Sequence, residues 1–498
     1  MKPHTRIGLC GWNADEITLE LLLELRGIGL DVAFLIANPE NRNRLSEIKK
    51  LTRVIDQDEV IDVIVGKSPN IDWPVLGDKL KAYSTQLPLL LRAQERWLQG
   101  HWNVDDRLFM THRAINYFHC LIEDEGVSSV VHCTGSPHHF FNLVLTIVGE
   151  REGISNFFLY YSFVTNRFFI VRGYEKTFFP LPASLQQTHQ PSLKSYSELI
   201  EHVTTQRDTR HSSQLAFYKL SAKFAVLYLL LVLPRQLLRL FSREFFRDSA
   251  GIFLQKGGGK FGRFANSVIE LFWDFWGIAY FKFYYKKYCT AKIDSEGYVI
   301  YASYQPEASS HPDGGEFPDA RYVAADLIKS GIDVYYKEHP GTFLYHCVLY
   351  PNQFSKHRSL KYYEDLRSMG VKFLDLNTPN RDIFQTNPVV VSNAGTVLLE
   401  AALNGVRARA IGHPWYGVFE GIAQYRFGDC GKAENEKHLA VSERRDAVLE
   451  RFMAIDASSF FNMFGVGAQV VDSCPPGEIA RLSAAIKYVI EADMLGRM

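Results

Sequence analysis

Apolar positions fall into two α/β patterns separated by a stretch of a different kind. Residues 6–12 (RIGLCGW) make a short apolar run closed by glycine, the pattern of a buried strand. From residue 15 to 26 leucine and isoleucine recur at helical spacing, Gly27 and Gly29 stop the pattern, and residues 31–37 (DVAFLIA) restore a strand. This βαβ order opens a Rossmann-like sheet. Residues 60–65 and 127–133 read as further strands; the second leads through Thr134, Gly135, Ser136, Pro137, His138 and His139 into an apolar helix over 140–148. A second α/β pattern predicts strands over 297–301, 332–337, 371–374, 389–391 and 408–411, alternating with helices over 320–330, 362–369, 381–386 and 397–404.

The stretch between them behaves differently. Residues 225–233 (AVLYLLLVL) are intensely apolar but far shorter than the about 20 residues needed to cross a bilayer core. Arg235, Arg239, Arg243 and Arg247 then recur every fourth residue, with Leu237, Leu238, Phe241 and Phe245 on another face. Such a basic amphipathic helix suits an anionic membrane surface. Residues 271–288 mix aromatics with Lys282, Lys286 and Lys287, a composition that favours the headgroup interface. The plainer alternative, helices that pack on the body of the protein and join its domains, stays open. The three glycines at 257–259 are no phosphate loop, because no suitable strand precedes them and no Lys-Ser/Thr pair follows in register.

Composition narrows the picture. A chain of 498 residues exceeds what one core usually supports, and 47% apolar with 22% charged residues indicates a folded protein. The expected division is an N-terminal α/β domain over 1–212, a helical insert over 213–292, a second α/β domain over 293–475 and a C-terminal helix over 476–498. Fifty-five basic residues balance fifty-five acidic ones, so no global field draws the chain to nucleic acid, and no such partner is expected. The seven dispersed cysteines contain no C-x-x-C pair, which argues for reduced thiols in a cytoplasmic compartment and against zinc or a disulfide framework. The N-terminus lacks the order of a secretory signal, so export is not expected.

The sharpest chemistry follows the strand at 389–391. Ser392, Asn393, Ala394, Gly395 and Thr396 run directly into a helix, offering backbone N–H groups, hydroxyls and a positive helix end to a phosphate. Glu400, one turn inside, could accept hydrogen bonds from a ribose. An ordinary capped helix with Glu400 on its surface is the alternative. Lys337 and His339 close an adjacent strand; the lysine can neutralise phosphate, and the histidine can hydrogen-bond a leaving phosphate or protonate it near neutral pH. Pro340 fixes the chain direction there. Glu307 follows the preceding strand, either as a sugar ligand or base or as a solvated loop carboxylate. His138 lies where open α/β sheets bind ligands, outside the carboxyl end of a strand, or simply opens a helix as an exposed polar residue.

Together these pieces carry a resemblance. YQPE at 304–307, Gly314-Gly315, KEHP at 337–340, SNAGT followed by EA over 392–401, and GHPWY at 412–416 stand in the order seen in bacterial capsule polysaccharide biosynthesis proteins. The match is specific over this part of the chain and looser elsewhere, where only Ser136-Pro137-His138 looks like the family's Pro-His loop. More distantly the chain is similar to Kdo transferases and bacterial sialyltransferases, whose His-Pro motif contacts the nucleotide of a CMP-sugar. The resemblance implies an α/β, GT-B-like fold, two Rossmann-like domains facing a cleft, and glycosyl transfer without a metal or other cofactor. It implies that His339 contacts the donor phosphate, Ser392 and Thr396 the nucleotide phosphate, and Glu400 the ribose, with Gln305, Lys337, Asn393 and Gly395 completing the nucleotide-sugar site. His138, Glu307 and His339 would be the catalytic groups, His138 serving the acceptor hydroxyl. Gln305-Pro306-Glu307 is followed by Ala308-Ser309-Ser310 rather than acidic residues, so a covalent aspartate mechanism is not implied.

The expected partners are a nucleotide-sugar of the CMP or UDP kind, a saccharide or lipid-linked acceptor, and an anionic membrane surface met through 225–288. The expected place is the cytoplasm, peripherally on the inner face of the membrane where the basic helix engages it. Rival readings are a CDP-alcohol phosphotransferase of teichoic-acid type, a nucleotide-sugar 2-epimerase, and a non-catalytic binding protein of capsule assembly.

Overall fold

The computed structural model describes residues 5–38, 42–66, 80–99, 103–133, 140–162, 167–173, 177–186, 198–199, 201, 249–250, 253–255, 283–290, 293, 297–302, 319–339, 358–418, 421–428, 441–461 and 474–496. The chain divides into two units. The first comprises Met1–Ala93, Asn103–Ser195 and Leu449–Met498, the second Gln94–Trp102 and Tyr196–Val448.

In the first unit β1 (Thr5–Trp12) buries its last six residues, as a strand covered on both faces must. Asp15 then caps the Glu16–Gly27 helix, its carboxylate accepting from the Thr18 N–H at 3.0 Å. The chain returns as β2 (Leu30–Ala37), parallel to β1. With β3 (Arg53–Asp56), β5 (Ser129–His132), β6 (Ser155–Ser162), β7 (Arg167–Arg172) and β18 (Phe460–Phe461) the sheet runs β18-β7-β6-β5-β1-β2-β3, and β8 (Thr177–Phe178) pairs with β7. The strands from β6 to β3 are mutually parallel, whereas β7, β8 and β18 join antiparallel. The order reverses between β1 and β5, and the loop at 134–139 that carries His138 lies outside the described residues.

One expected strand is a helix. Residues 60–64 belong to the Gln57–Ile64 helix, which Val65 ends, and the strand is the preceding Arg53–Asp56. Asp56 ends that strand and caps the helix, accepting from the Asp58 N–H at 3.0 Å, and Val60, Ile61, Val63 and Ile64 are buried at helical spacing. The Val104–Glu125 helix, which the apolar pattern does not announce, is capped by Asn103 and ended by Gly126 at φ +57°. The Glu478–Gly496 helix packs on the Glu16–Gly27 helix, with Leu482, Ile486, Val489 and Ile490 in one core with Leu21, Leu22 and Leu25. Its buried Asp493 accepts from the Ser155 hydroxyl and pairs with Arg172 at 2.6 Å.

The second unit is built on an all-parallel sheet. Its strands are β11 (Cys289–Thr290), β12 (Tyr298–Tyr301), β13 (Val334–Lys337), β14 (Lys372–Leu374), β15 (Val389–Ser392), β16 (Ala408–Ala410) and β17 (Ile422–Gln424), in the order β11-β14-β13-β12-β15-β16-β17. From β12 the chain winds outward to β14, then crosses back to β15 and winds the other way, the doubly wound order of a dinucleotide fold. The α/β class with two Rossmann-like sheets therefore stands on strand pairing alone. A separate small sheet joins β4 (Leu98–Gln99), β9 (Ser249–Ala250) and β10 (Phe253–Gln255).

Of the expected membrane segment at 225–288, residues 249–250, 253–255 and 283–288 are described, and in the last of these Tyr285 is core. It is fully buried, and its hydroxyl donates to the Leu374 carbonyl at 2.7 Å. That turn packs on the unit, as the plainer reading has it; the arginines at 235–247 lie outside the described residues. Among the described residues no helix is long and apolar enough to cross a membrane.

Candidate functional site

The order reversal of the second unit sets β12 beside β15, and loops leaving such neighbours diverge to open a crevice at their carboxyl ends. Register aligns three strand ends there: Tyr301 pairs with Lys337, and Ile300 with Val391. The Ser392 hydroxyl donates to the Tyr301 carbonyl at 3.0 Å and so ties β15 to β12 at the reversal. Gly395 makes this bond possible, because a Cβ there would stand 2.8 Å from the Ser392 Oγ.

The turn after β15 has its acceptors engaged. The Ser392 and Asn393 carbonyls accept from the Ile411 and Gly412 N–H groups, each at 2.9 Å, and the Ala394 carbonyl accepts from the Tyr416 hydroxyl at 2.7 Å. Among the described residues the N–H groups of Ala394, Gly395 and Thr396 find no acceptor. Thr396 is exposed and makes no capping bond to the Val397–Leu403 helix. Ser392 does not cap that helix either, since its proton goes to Tyr301. The turn thus presents donors, as an anion requires.

Glu400 is not a surface carboxylate; it is 6% exposed and accepts from Asn380 Nδ2 at 3.0 Å. Asn380 Oδ1 accepts from Lys337 Nζ at 2.9 Å and from the Tyr301 hydroxyl at 3.2 Å. Lys337, itself buried, also donates to the Thr378 carbonyl at 2.6 Å and lies over the Tyr301 ring. Lys337, Glu400 and the Ser392 bond are thereby joined through Tyr301 and Asn380.

Strand alternation sends Glu338 to the opposite face from Lys337. Its fully buried carboxylate accepts from Arg358 Nε at 2.7 Å, the Tyr336 hydroxyl at 2.7 Å, the Tyr363 hydroxyl at 2.9 Å and the His339 N–H at 2.8 Å. Burial alone would raise the Glu338 pKa; the Arg358 charge and these hydrogen bonds outweigh it and hold the carboxyl below its ordinary value. Arg358 lies over the Tyr362 ring, and the Glu338 N–H donates to the Tyr285 hydroxyl at 3.0 Å. His339 is thus anchored through its backbone. Protein packed around its ring pushes its pKa down to about 4, with Glu338 drawing it up and Arg358 pushing it further down. At pH 7 it is a neutral imidazole that can donate one hydrogen bond, not an imidazolium.

The structure therefore brings together Lys337, Ser392, Asn393, Gly395, Thr396 and Glu400 along one sheet edge, with His339 following β13. His138, Gln305 and Glu307 lie outside the described residues. Sequence reading missed Asn380, Tyr301, Glu338 and Arg358. Glu338 stood in view between Lys337 and His339, whereas nothing around Asn380 distinguished it from any residue after a proline. Among the described residues no three His, Cys, Asp or Glu side chains gather to hold a metal ion.

No family model matches the chain, and no curated protein matches it. Among solved structures it is similar to the UDP-GlcNAc 2-epimerase of Methanocaldococcus jannaschii, at 10% identity over 97% of this chain and 99% of that one, with a TM-score of 0.20. It is also similar to Thermosulfurimonas dismutans KpsC, a β-Kdo 2,7 transferase, at 12% identity over 76% and 88% of the two chains and a TM-score of 0.25. Acinetobacter baumannii MurG matches at 9% identity over 97% and 99%, with a TM-score of 0.20. Likenesses this low carry no argument about the site. The site rests on its own geometry.

Proposed function

We propose that the chain transfers a glycosyl group from a nucleotide-activated sugar, of the CMP or UDP kind, to a saccharide or lipid-linked acceptor in bacterial surface polysaccharide biosynthesis. One observation carries this reading: at the strand-order reversal of the second unit, the turn after β15 has its carbonyls engaged and its N–H groups at 394–396 without acceptors among the described residues. Open α/β sheets bind ligands at this position, and such a turn suits a nucleotide phosphate.

In this reading the 394–396 amides and the Thr396 hydroxyl take the phosphate, Ser392, Asn393 and Gly395 hold the turn's shape, and Glu400 takes the ribose hydroxyls. Lys337 balances charge and Gln305 completes the donor site. His339, neutral at pH 7, hydrogen-bonds the leaving phosphate, whose own charge raises the imidazole pKa toward proton transfer. The bond from the anomeric carbon to the phosphate oxygen breaks, the bond to the acceptor oxygen forms, and His138 or Glu307 takes the acceptor proton. Protein donors balance the leaving-group charge in place of a metal ion. In this reading the reaction takes place in the cytoplasm, with the arginine-rich segment at 235–247 resting on the inner membrane face.

Thermal unfolding with CMP, CDP, UDP and GDP tests the core of this proposal. A nucleotide held at a hundredfold excess over its Kd stabilises the folded state by about 2.7 kcal/mol. His339→Ala should weaken the nucleotide that gives the largest shift, as read by calorimetric titration. No shift with any of the four would end the proposal, and transfer of radiolabelled CDP-glycerol in preference to sugars would replace it with a phosphotransferase.

A further inference from the structure

Asn380 joins the two ionisable groups of the strand-end edge. It opens the Asn380–Phe384 helix, is 5% exposed, and comes from a connection that belongs to neither β13 nor β15. Its Oδ1 receives Lys337 Nζ at 2.9 Å and the Tyr301 hydroxyl at 3.2 Å, while its Nδ2 donates to Glu400 Oε2 at 3.0 Å. The bond from Lys337 to the Thr378 carbonyl pins the same segment on the other side of Pro379. Chemistry fixes the orientation of the amide. An ammonium only donates and a carboxylate only accepts, so the oxygen must face Lys337 and the nitrogen must face Glu400. An amide polarised between a cation and an anion strengthens both of its bonds. A buried carboxylate deprived of this donor loses one of the bonds that fix its orientation.

We infer that Asn380 is a positioning residue that makes the site select ribonucleotides. Its amide oxygen holds Lys337 while its amide nitrogen orients the Glu400 carboxylate for the vicinal hydroxyls of a ribose. The inference rests on the role given to Glu400 in the proposed function. Its consequence is separate: sugar discrimination depends on a residue that never touches the nucleotide.

The test is calorimetric titration of the full chain with CMP, CDP, UDP and GDP, each against its 2′,3′-dideoxy counterpart. Wild type should bind the ribose form at least about tenfold more tightly, the size of one lost hydrogen bond to a charged group. In Asn380→Ala that ratio should fall to within about twofold, while the dideoxy form binds as it does to wild type, which a merely structural role would not produce. Asn380→Asp keeps an oxygen for Lys337 and Tyr301 but presents no donor to Glu400. It should lose the discrimination too, and it serves if the alanine variant does not fold. An unchanged ratio in either folded variant overturns the inference, as does equal weakening of both nucleotide forms or failure of both variants to fold. Wild type that binds no nucleotide overturns the proposed function itself, and wild type that binds both forms equally overturns the role of Glu400.

Discussion

Glu338 is a charge buried in the second unit's core, made tolerable by Arg358 and two tyrosine hydroxyls. Removing one partner of a buried ion pair leaves the other uncompensated, so Glu338→Gln or Arg358→Met should each cost about 3–5 kcal/mol in denaturant unfolding. The double replacement Glu338→Leu with Arg358→Met should cost less than the sum of the two. His132 gives a second residue-scale prediction. Fully buried, stacked on Phe158 and bonded to Asn156 at 3.0 Å, it is pushed by burial from 6.5 down to about 4, although the Asn156 bond opposes the shift. The folded state then binds fewer protons than the unfolded one between those values. Its contribution, up to about 3 kcal/mol, is fully present above pH 6.5 and is lost as pH falls towards 4. His339 shifts in the same direction. Urea unfolding at stepped pH should show this slope, and His132→Asn should flatten it. At this scale the sequence displayed Lys337, His339, Ser392 and Glu400 as candidates, but the bonds of Lys337, Ser392 and Glu400 depend on Asn380 and Tyr301, which meet them only after the sheet has formed.

Among the elements, five strands of the second unit's sheet were legible because a parallel sheet covered on both faces demands apolar runs, such as Val389–Ser392 with every residue buried, whereas the short outer strands Cys289–Thr290 and Ile422–Gln424 were not. The run at 60–65 deceived for a physical reason. Five apolar residues interrupted by one aspartate suit a strand or a helix equally, and what decides is Asp56, whose carboxylate closes the first turn. Asp56→Ala should therefore destabilise the first unit by about 1 kcal/mol, part of it through the lost pairing with Arg42, as read by thermal unfolding. The Val104–Glu125 helix escaped notice because its buried face includes Thr111, Arg113 and Asn116, which blur the apolar stripe. Arg113 nonetheless satisfies the Val63 carbonyl at 2.7 Å, a bond that no periodicity announces.

Over the whole molecule, the arginine-rich segment at 235–247 sets one further expectation. Replacing Arg235, Arg239, Arg243 and Arg247 by glutamine should abolish sedimentation with phosphatidylserine vesicles and leave nucleotide-induced stabilisation intact. Equal sedimentation of the variant and wild type would assign those arginines to the protein's interior. Salt should mimic the substitution, since screening weakens a surface charge but not a buried one.

The helix at Glu478–Gly496 supplies Leu482, Ile486, Val489 and Ile490 to a core that, apart from Phe460, is otherwise assembled from residues 7–181. A ribosome releases those early segments long before their cover exists, while nearly all of the second unit emerges as one uninterrupted piece. The half made first must therefore wait, apolar surface bared, until the half made later has already settled. A chaperone that shields nascent chains should bind early and let go only when the closing residues appear.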